Sequence, residues 1–111
     1  MKLYHGTTVK KAALLYTRGS SNPLYVTAYK PLAIMYAIIT AKEEKGVPAV
    51  VILRTHRHLE KDPEHAPIPS DRAYVVSELS PTEVVTVQSE LSWLLRLTEY
   101  ELTNIIDEDA L

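Results

Sequence analysis

The hydrophobic positions of this chain change spacing several times, and each change marks the border of an element. Residues 2–4 form a short apolar run that predicts a strand. Val9, Ala12, Ala13, Leu15 and Tyr16 then recur at helical spacing, with Thr7 or Thr8 as an N-cap oxygen and Gly19 as the C-terminal stop. Ser20-Ser21-Asn22-Pro23 is loop chemistry, and residues 24–27 read as a second strand. Pro31 suits the first turn of a second helix, because the N–H it lacks has no intrahelical partner there. That helix carries Leu32, Ile34, Met35, Tyr36, Ile38 and Ile39 and is expected to end before Gly46. Residues 49–53 are an apolar, β-branched run that predicts a central strand.

Residues 55–72 are polar and hold Pro63, Pro67 and Pro69, which predicts a long loop. Loops of that length are usually functional or mobile. Strands are expected over 73–79 and 83–88, separated by a Ser80-Pro81 turn. Ser89 can cap a last helix with Leu91, Trp93, Leu94, Leu95, Leu97, Tyr100, Leu102 and Ile105. These residues cover more than one stripe, so the helix is expected to pack on two sides or against a partner. The order βα, βα, β, β, β, α predicts an α+β fold. A chain of 111 residues has room for one domain, 1–111.

With 46% hydrophobic and 23% charged residues the composition is that of an ordinary globular protein. No apolar run reaches the roughly 18 residues of a membrane span. The N-terminus has one Lys and then His-Gly-Thr, which is not a signal-peptide pattern. The absence of Cys removes disulfides, thiolate chemistry and thiolate metal sites. A cytoplasmic protein is the expectation. The net charge of −2 hides an asymmetry. Positions 1–72 carry 11 Lys/Arg and 6 Asp/Glu, whereas positions 73–111 carry 1 and 8. A basic first part suits a phosphate-bearing ligand; the acidic remainder also reads as a solvated helix face.

The candidate chemistry lies in pieces spread along the chain: Tyr4-His5-Gly6-Thr7 at the first strand, Tyr25-Val26-Thr27 on the second, Tyr36 eleven residues later, and Ala73-Tyr74-Val75-Val76 on a late strand. In order and spacing they resemble the NAD-binding core of the ADP-ribosyltransferases of the diphtheria-toxin and poly(ADP-ribose)-polymerase type. The resemblance covers residues 2–40 well, and 48–88 by strand pattern alone. It implies a split, two-sheeted β core with short flanking helices, NAD as co-substrate and transfer of ADP-ribose to a macromolecule, whether protein, RNA or DNA. Small enzymes of this kind include intracellular toxins paired with antitoxins, and the last helix is the expected surface for an antitoxin or a second copy.

Each residue type suits that chemistry. A flat cationic ring is held between aromatic faces, the role of Tyr25 and Tyr36. Gly6 lets backbone approach the nicotinamide amide closely. His5 is expected to bond a ribose hydroxyl. Thr7 and Thr27 can add hydroxyl contacts, or act only as capping and strand residues.

The family's last motif places a Glu where this chain has Ala73. That carboxylate steadies the positive charge that builds on the ribose. Removing one such electrostatic contributor costs about 100- to 1,000-fold in rate. Ala73 therefore predicts NAD binding with little transfer. Glu78 is the nearest substitute, but the strand period sets it on the opposite face from position 73 unless the chain bends.

Two other readings stay open: a catalytically inactive nucleotide- or peptide-binding module, and an RNA-acting toxin that uses His5 and the Arg54-Thr55-His56-Arg57-His58 segment. Arg54, Arg57, Lys61 and Arg72 could serve RNA, NAD phosphates or only solvent. His56 and His58 alternate but have no third ligand, so no metal site is expected.

Overall fold

The strand β3 (Pro48–Arg54) is buried almost throughout because both faces of its sheet are covered. The computed structural model describes residues 2–55, 60–61, 73–76 and 78–96. β3 pairs antiparallel with β1 (Lys2–Thr8) in unbroken register from Lys2↔Arg54 to Thr8↔Pro48. On its other edge it pairs with β6 (Val84–Gln88), through a register irregularity at Ile52/Leu53. A second group is formed by β2 (Leu24–Thr27), β5 (Ala73–Val76) and the two-residue β4 (Glu60–Lys61). The six strands make one sheet of order β4-β5-β2-β1-β3-β6. Its two halves meet at a single register pair, Tyr4↔Thr27. The two-sheeted core implied by the resemblance is therefore not what forms: the strands make one sheet, in which β1 and β2 are joined only at that pair because they part beyond it.

Successive residues of a strand face opposite ways, so β3 feeds two cores. Val51 and Leu53 join Leu3, Val26 and Val76 beneath α1 (Val9–Arg18), which contributes Ala12 and Leu15. Val50 joins Leu91 and Leu94 beneath α2 (Lys30–Glu44), which contributes Ala33, Ile34, Ala37 and Ile38. The architecture is α+β, an antiparallel sheet with a helix on each face.

The helix borders follow the expected chemistry with two refinements. Thr8 is the N-cap of α1, its hydroxyl accepting from the Lys11 N–H at 3.4 Å. Gly19, at φ 68°, closes the helix by donating its N–H to Leu15 O at 2.9 Å. In α2 the stop is built differently from the expected glycine. Gly46 donates to Ala41 O at 2.9 Å, a six-residue closing bond, while Lys45 takes the left-handed conformation at φ 54°. A Cβ on Gly46 would stand 3.1 Å from Thr8 Cγ2, so the glycine serves packing against β1.

Other borders differ. The first strand runs to Thr8, because pairing with β3 overrides the polar look of His-Gly-Thr. β5 ends at Val76, and Leu79 instead forms an isolated bridge to Ser20 with bonds of 2.9 and 2.8 Å. Pro81 has no N–H for a ladder and opens a 3-10 turn, Pro81–Glu83, so Glu83 precedes the strand. Its carboxylate accepts from the Ser80 N–H at 3.0 Å. The stretch read as a loop over 55–72 contains β4.

From Ser89 onward the described chain forms a 3-10 helix, Ser92–Arg96, with Leu91 and Leu94 buried. Leu97, Tyr100, Leu102 and Ile105 of the expected last helix lie outside the described residues, as do His56, Arg57, His58 and Arg72. Among the described residues no helix is long and apolar enough to cross a membrane.

A non-glycine residue in the left-handed region costs about 1–2 kcal/mol, offset in part by the greater unfolded-state entropy of glycine. Lys45→Gly is therefore expected to raise the unfolding free energy by about 0.5–1 kcal/mol. A urea titration that finds no gain would show that Lys45 makes a compensating contact.

Candidate functional site

Where β2 diverges from β1 beyond Tyr4↔Thr27, the sheet opens into a cavity of about 210 Å³. Its walls are Tyr4, His5 and Gly6 of β1, Tyr25, Val26 and Thr27 of β2, and Leu32, Ala33, Tyr36 and Thr40 of α2. An apolar cavity of about 150 Å³ accepts a benzene molecule. This one therefore has room for a single six-membered ring with a small substituent. A second depression, lined by Val9, Ala13, Tyr16, Thr17, Val85, Thr86, Val87 and Ser89, is more open and offers only hydroxyl groups as polar side chains.

Gly6 contributes in two ways. Its missing side chain admits α2: a Cβ there would overlap the Ala33 carbonyl oxygen and stand 2.7 Å from Ala37 N. Ala33, Ala37 and Ala41, each a turn apart and all buried, give that side of the helix a small profile. The second contribution is the backbone. Pro48 has no N–H, so the Thr8↔Pro48 pair cannot exchange mutual bonds, and Val9 N–H donates to Val47 O at 2.8 Å instead. Bonded and non-bonded pairs alternate along an antiparallel ladder. The N–H and C=O of Gly6 consequently point away from β3, toward the split. β2 has no register partner for Gly6 there. One donor and one acceptor on the same edge match a primary carboxamide.

His5 spans the split. Its Nδ1 lies 2.7 Å from Tyr25 O. A carbonyl only accepts, so Nδ1 carries the proton and Nε2 of the neutral ring is an acceptor. Burial pushes the imidazole below its ordinary value; the hydrogen bond to the Tyr25 carbonyl acts in the opposite sense, and the charge of Lys11 adds to the lowering. The ring is accordingly neutral at pH 7. A neutral His5 can accept a hydrogen bond from a ligand hydroxyl at Nε2.

The aromatic pair comes from two elements. Tyr25 is 52% exposed on β2, whereas Tyr36 is half-buried on α2. Thr27 is buried, and its Oγ1 accepts from the Tyr29 N–H at 3.0 Å. That bond fixes the short turn delivering α2, so the capping role of Thr27 is realised beside its place in the wall.

Five of the expected residues, His5, Gly6, Tyr25, Thr27 and Tyr36, therefore meet in one cavity. Thr7 does not join them. It is buried within β1, opposite Ala49, and is not part of the cavity wall. Position 73 lies directly across from Thr27 on β5. Opposed residues of an antiparallel pair share a face, so position 73 lies on the same sheet face as Thr27. Glu78 is exposed beyond the end of β5, where the strand period no longer applies, and is not part of the cavity wall. Among the described residues the wall contains no Asp or Glu.

Sequence reasoning missed Tyr4, Val26, Leu32, Ala33 and Thr40. For Ala33 and Thr40 the signal was present: they lie three residues before and four after Tyr36, on one helical stripe. No protein-family model, curated protein or solved structure matches this chain.

Gly6→Ala is expected to lose about 3 kcal/mol of stability or more, because overpacking here meets helix backbone rather than a movable side chain. Urea unfolding measures it, and a loss below 1 kcal/mol would contradict the close contact. His5 gives a second test. Its folded value is depressed, so its contribution is complete above about pH 6.5, the ordinary imidazole value, and is lost as pH falls through the folded value. The stability advantage of the wild type over His5→Gln should therefore narrow between pH 7.5 and pH 5. A gap that stays constant would show that the imidazole is not selectively held neutral.

Proposed function

We propose that this chain is a small NAD-binding domain of ADP-ribosyltransferase type that lacks the carboxylate needed for efficient transfer. The observation that carries the reading is the meeting of His5, Gly6, Tyr25, Thr27 and Tyr36, from three separated segments, around one ring-sized cavity at the split of the sheet. The Gly6 edge would hold the nicotinamide carboxamide. Tyr25 and Tyr36 would flank the ring, and Nε2 of neutral His5 would accept from a ribose hydroxyl.

In the transfer chemistry, the bond between nicotinamide and ribose breaks with its electron pair leaving on the nicotinamide ring. A nucleophile of a macromolecular acceptor bonds the ribose carbon and gives up its proton. The positive charge that builds on the ribose needs a nearby anion. Position 73, across from Thr27, is where the fold would supply one.

A wall with no Asp or Glu among the described residues favours a second reading for the chain as it stands: a module that binds NAD or a related nucleotide without turning it over. The two readings share the cavity and differ at position 73. A role as a toxin restrained by an antitoxin belongs to the first.

Nicotinamide release from NAD, measured side by side for this chain and for Ala73→Glu, separates them. Release about 100-fold or more faster in Ala73→Glu is the expected result, the size of one electrostatic contributor. NAD binding by both with release by neither would leave the binding module. Neither binding nor release in either protein would overturn both readings.

A further inference from the structure

β1 and β3 place two positive charges directly opposite one another, in the pair Lys2↔Arg54. Both side chains are exposed, and among the described residues neither has an acidic partner. Like charges facing each other across an antiparallel pair are destabilising. The arrangement therefore opposes folding and calls for an anion to relieve it.

Its position points to which anion. Lys2, Tyr4 and Gly6 alternate along one face of β1, and Arg54 shares that face because it opposes Lys2. The Lys2 ammonium stands over the Tyr4 ring, 5.9 Å from its centre, and Tyr4 is part of the cavity wall. The two cations thus lie beyond the Tyr4 end of the cavity. About 7 Å of strand separates Tyr4 from Lys2, a span that one pentose bridges. A ring in the cavity would carry its sugar outward past Tyr4 and bring a 5′-phosphate toward the pair.

We propose that Lys2 and Arg54 form a phosphate subsite for a nucleotide whose ring occupies the cavity. The planar guanidinium of Arg54 can grip two phosphate oxygens, and Lys2 adds a mobile point charge. This inference rests on the nucleotide reading of the cavity but uses residues outside its wall. It also separates two ligand contributions: the cavity selects the ring, and the cation pair selects phosphate over a bare nucleoside.

Calorimetric titration with nicotinamide riboside, nicotinamide mononucleotide and NAD tests it, for the wild type, Lys2→Gln and Arg54→Gln. Each variant should weaken the mononucleotide and NAD about tenfold, the size of one charge-assisted hydrogen bond. Riboside affinity should not change, and the melting temperature should hold or rise because the repulsion is gone. If NAD binds and neither variant weakens it, the subsite is overturned while the cavity reading stands. If none of the three ligands binds the wild type, the cavity reading fails and the subsite with it. A short single-stranded RNA that binds through Lys2 and Arg54 while the mononucleotide does not would overturn the assignment and make the pair a nucleic-acid contact.

Discussion

The seating of α2 on Gly6 is the contact on which the site depends. A helix normally stands off a sheet by the length of its side chains. Here the missing side chain of Gly6 and the alanines at 33, 37 and 41 let helix backbone meet strand backbone. That closeness turns a neighbouring stripe of α2, with Tyr36 and Thr40, toward the opening between β1 and β2. A larger residue at position 6 would lift the helix and carry the aromatic wall away with it. The same glycine leaves its peptide group on the edge that faces the split. On the proposed reading, packing and recognition thus place the same demand on one residue.

The split leaves polar backbone groups that the ladder no longer pairs. Tyr25 O is served by the His5 ring at 2.7 Å, across the gap that β1 and β2 no longer bridge by ladder bonds. His5 therefore supports the opening as well as furnishing an acceptor within it. Desolvation suits both tasks, since it favours the neutral ring that donates from Nδ1 and accepts at Nε2. A charged imidazole would donate from both nitrogens and lose the acceptor.

Much of this was legible in the sequence, for identifiable reasons. Both helices, their caps at Thr8 and Gly19, and the proline in the first turn of α2 are local chemistry, and local chemistry can be read without a structure. Tyr25 and Tyr36 were legible as a pair because their elements were. The full length of β1 was not, since the ladder to β3 is formed by residues forty or more positions away and overrides the polar appearance of His5 to Thr8. The contact between Gly6 and α2 was equally hidden: a glycine reads as a turn or a ligand approach until the helix lying on it is seen. Thr7 and Thr8 look interchangeable in sequence. Strand phase separates them, setting Thr7 in the buried ladder and Thr8 at the cap. The early end of β5 was obscured for a related reason, because Leu79 prolongs the apolar pattern beyond Val76 while its backbone pairs with Ser20 in an isolated bridge.

The distribution of these roles bears on how the proposed binding architecture could persist without a carboxylate. Gly6, His5 and Thr27 each do structural work: one admits the helix, one pairs an exposed carbonyl, and one fixes the turn into α2. Losing any of them would cost stability before it cost chemistry. Position 73 is held by the backbone pairing of β5 with β2, a pairing that does not depend on which side chain stands there. A carboxylate there would add a charge beside a largely apolar opening, a cost that only transition-state stabilisation could justify. On the proposed reading the fold is less tolerant of change at Gly6, His5 and Thr27 than at position 73, and a chain that keeps those three while carrying Ala73 is what such unequal constraints allow.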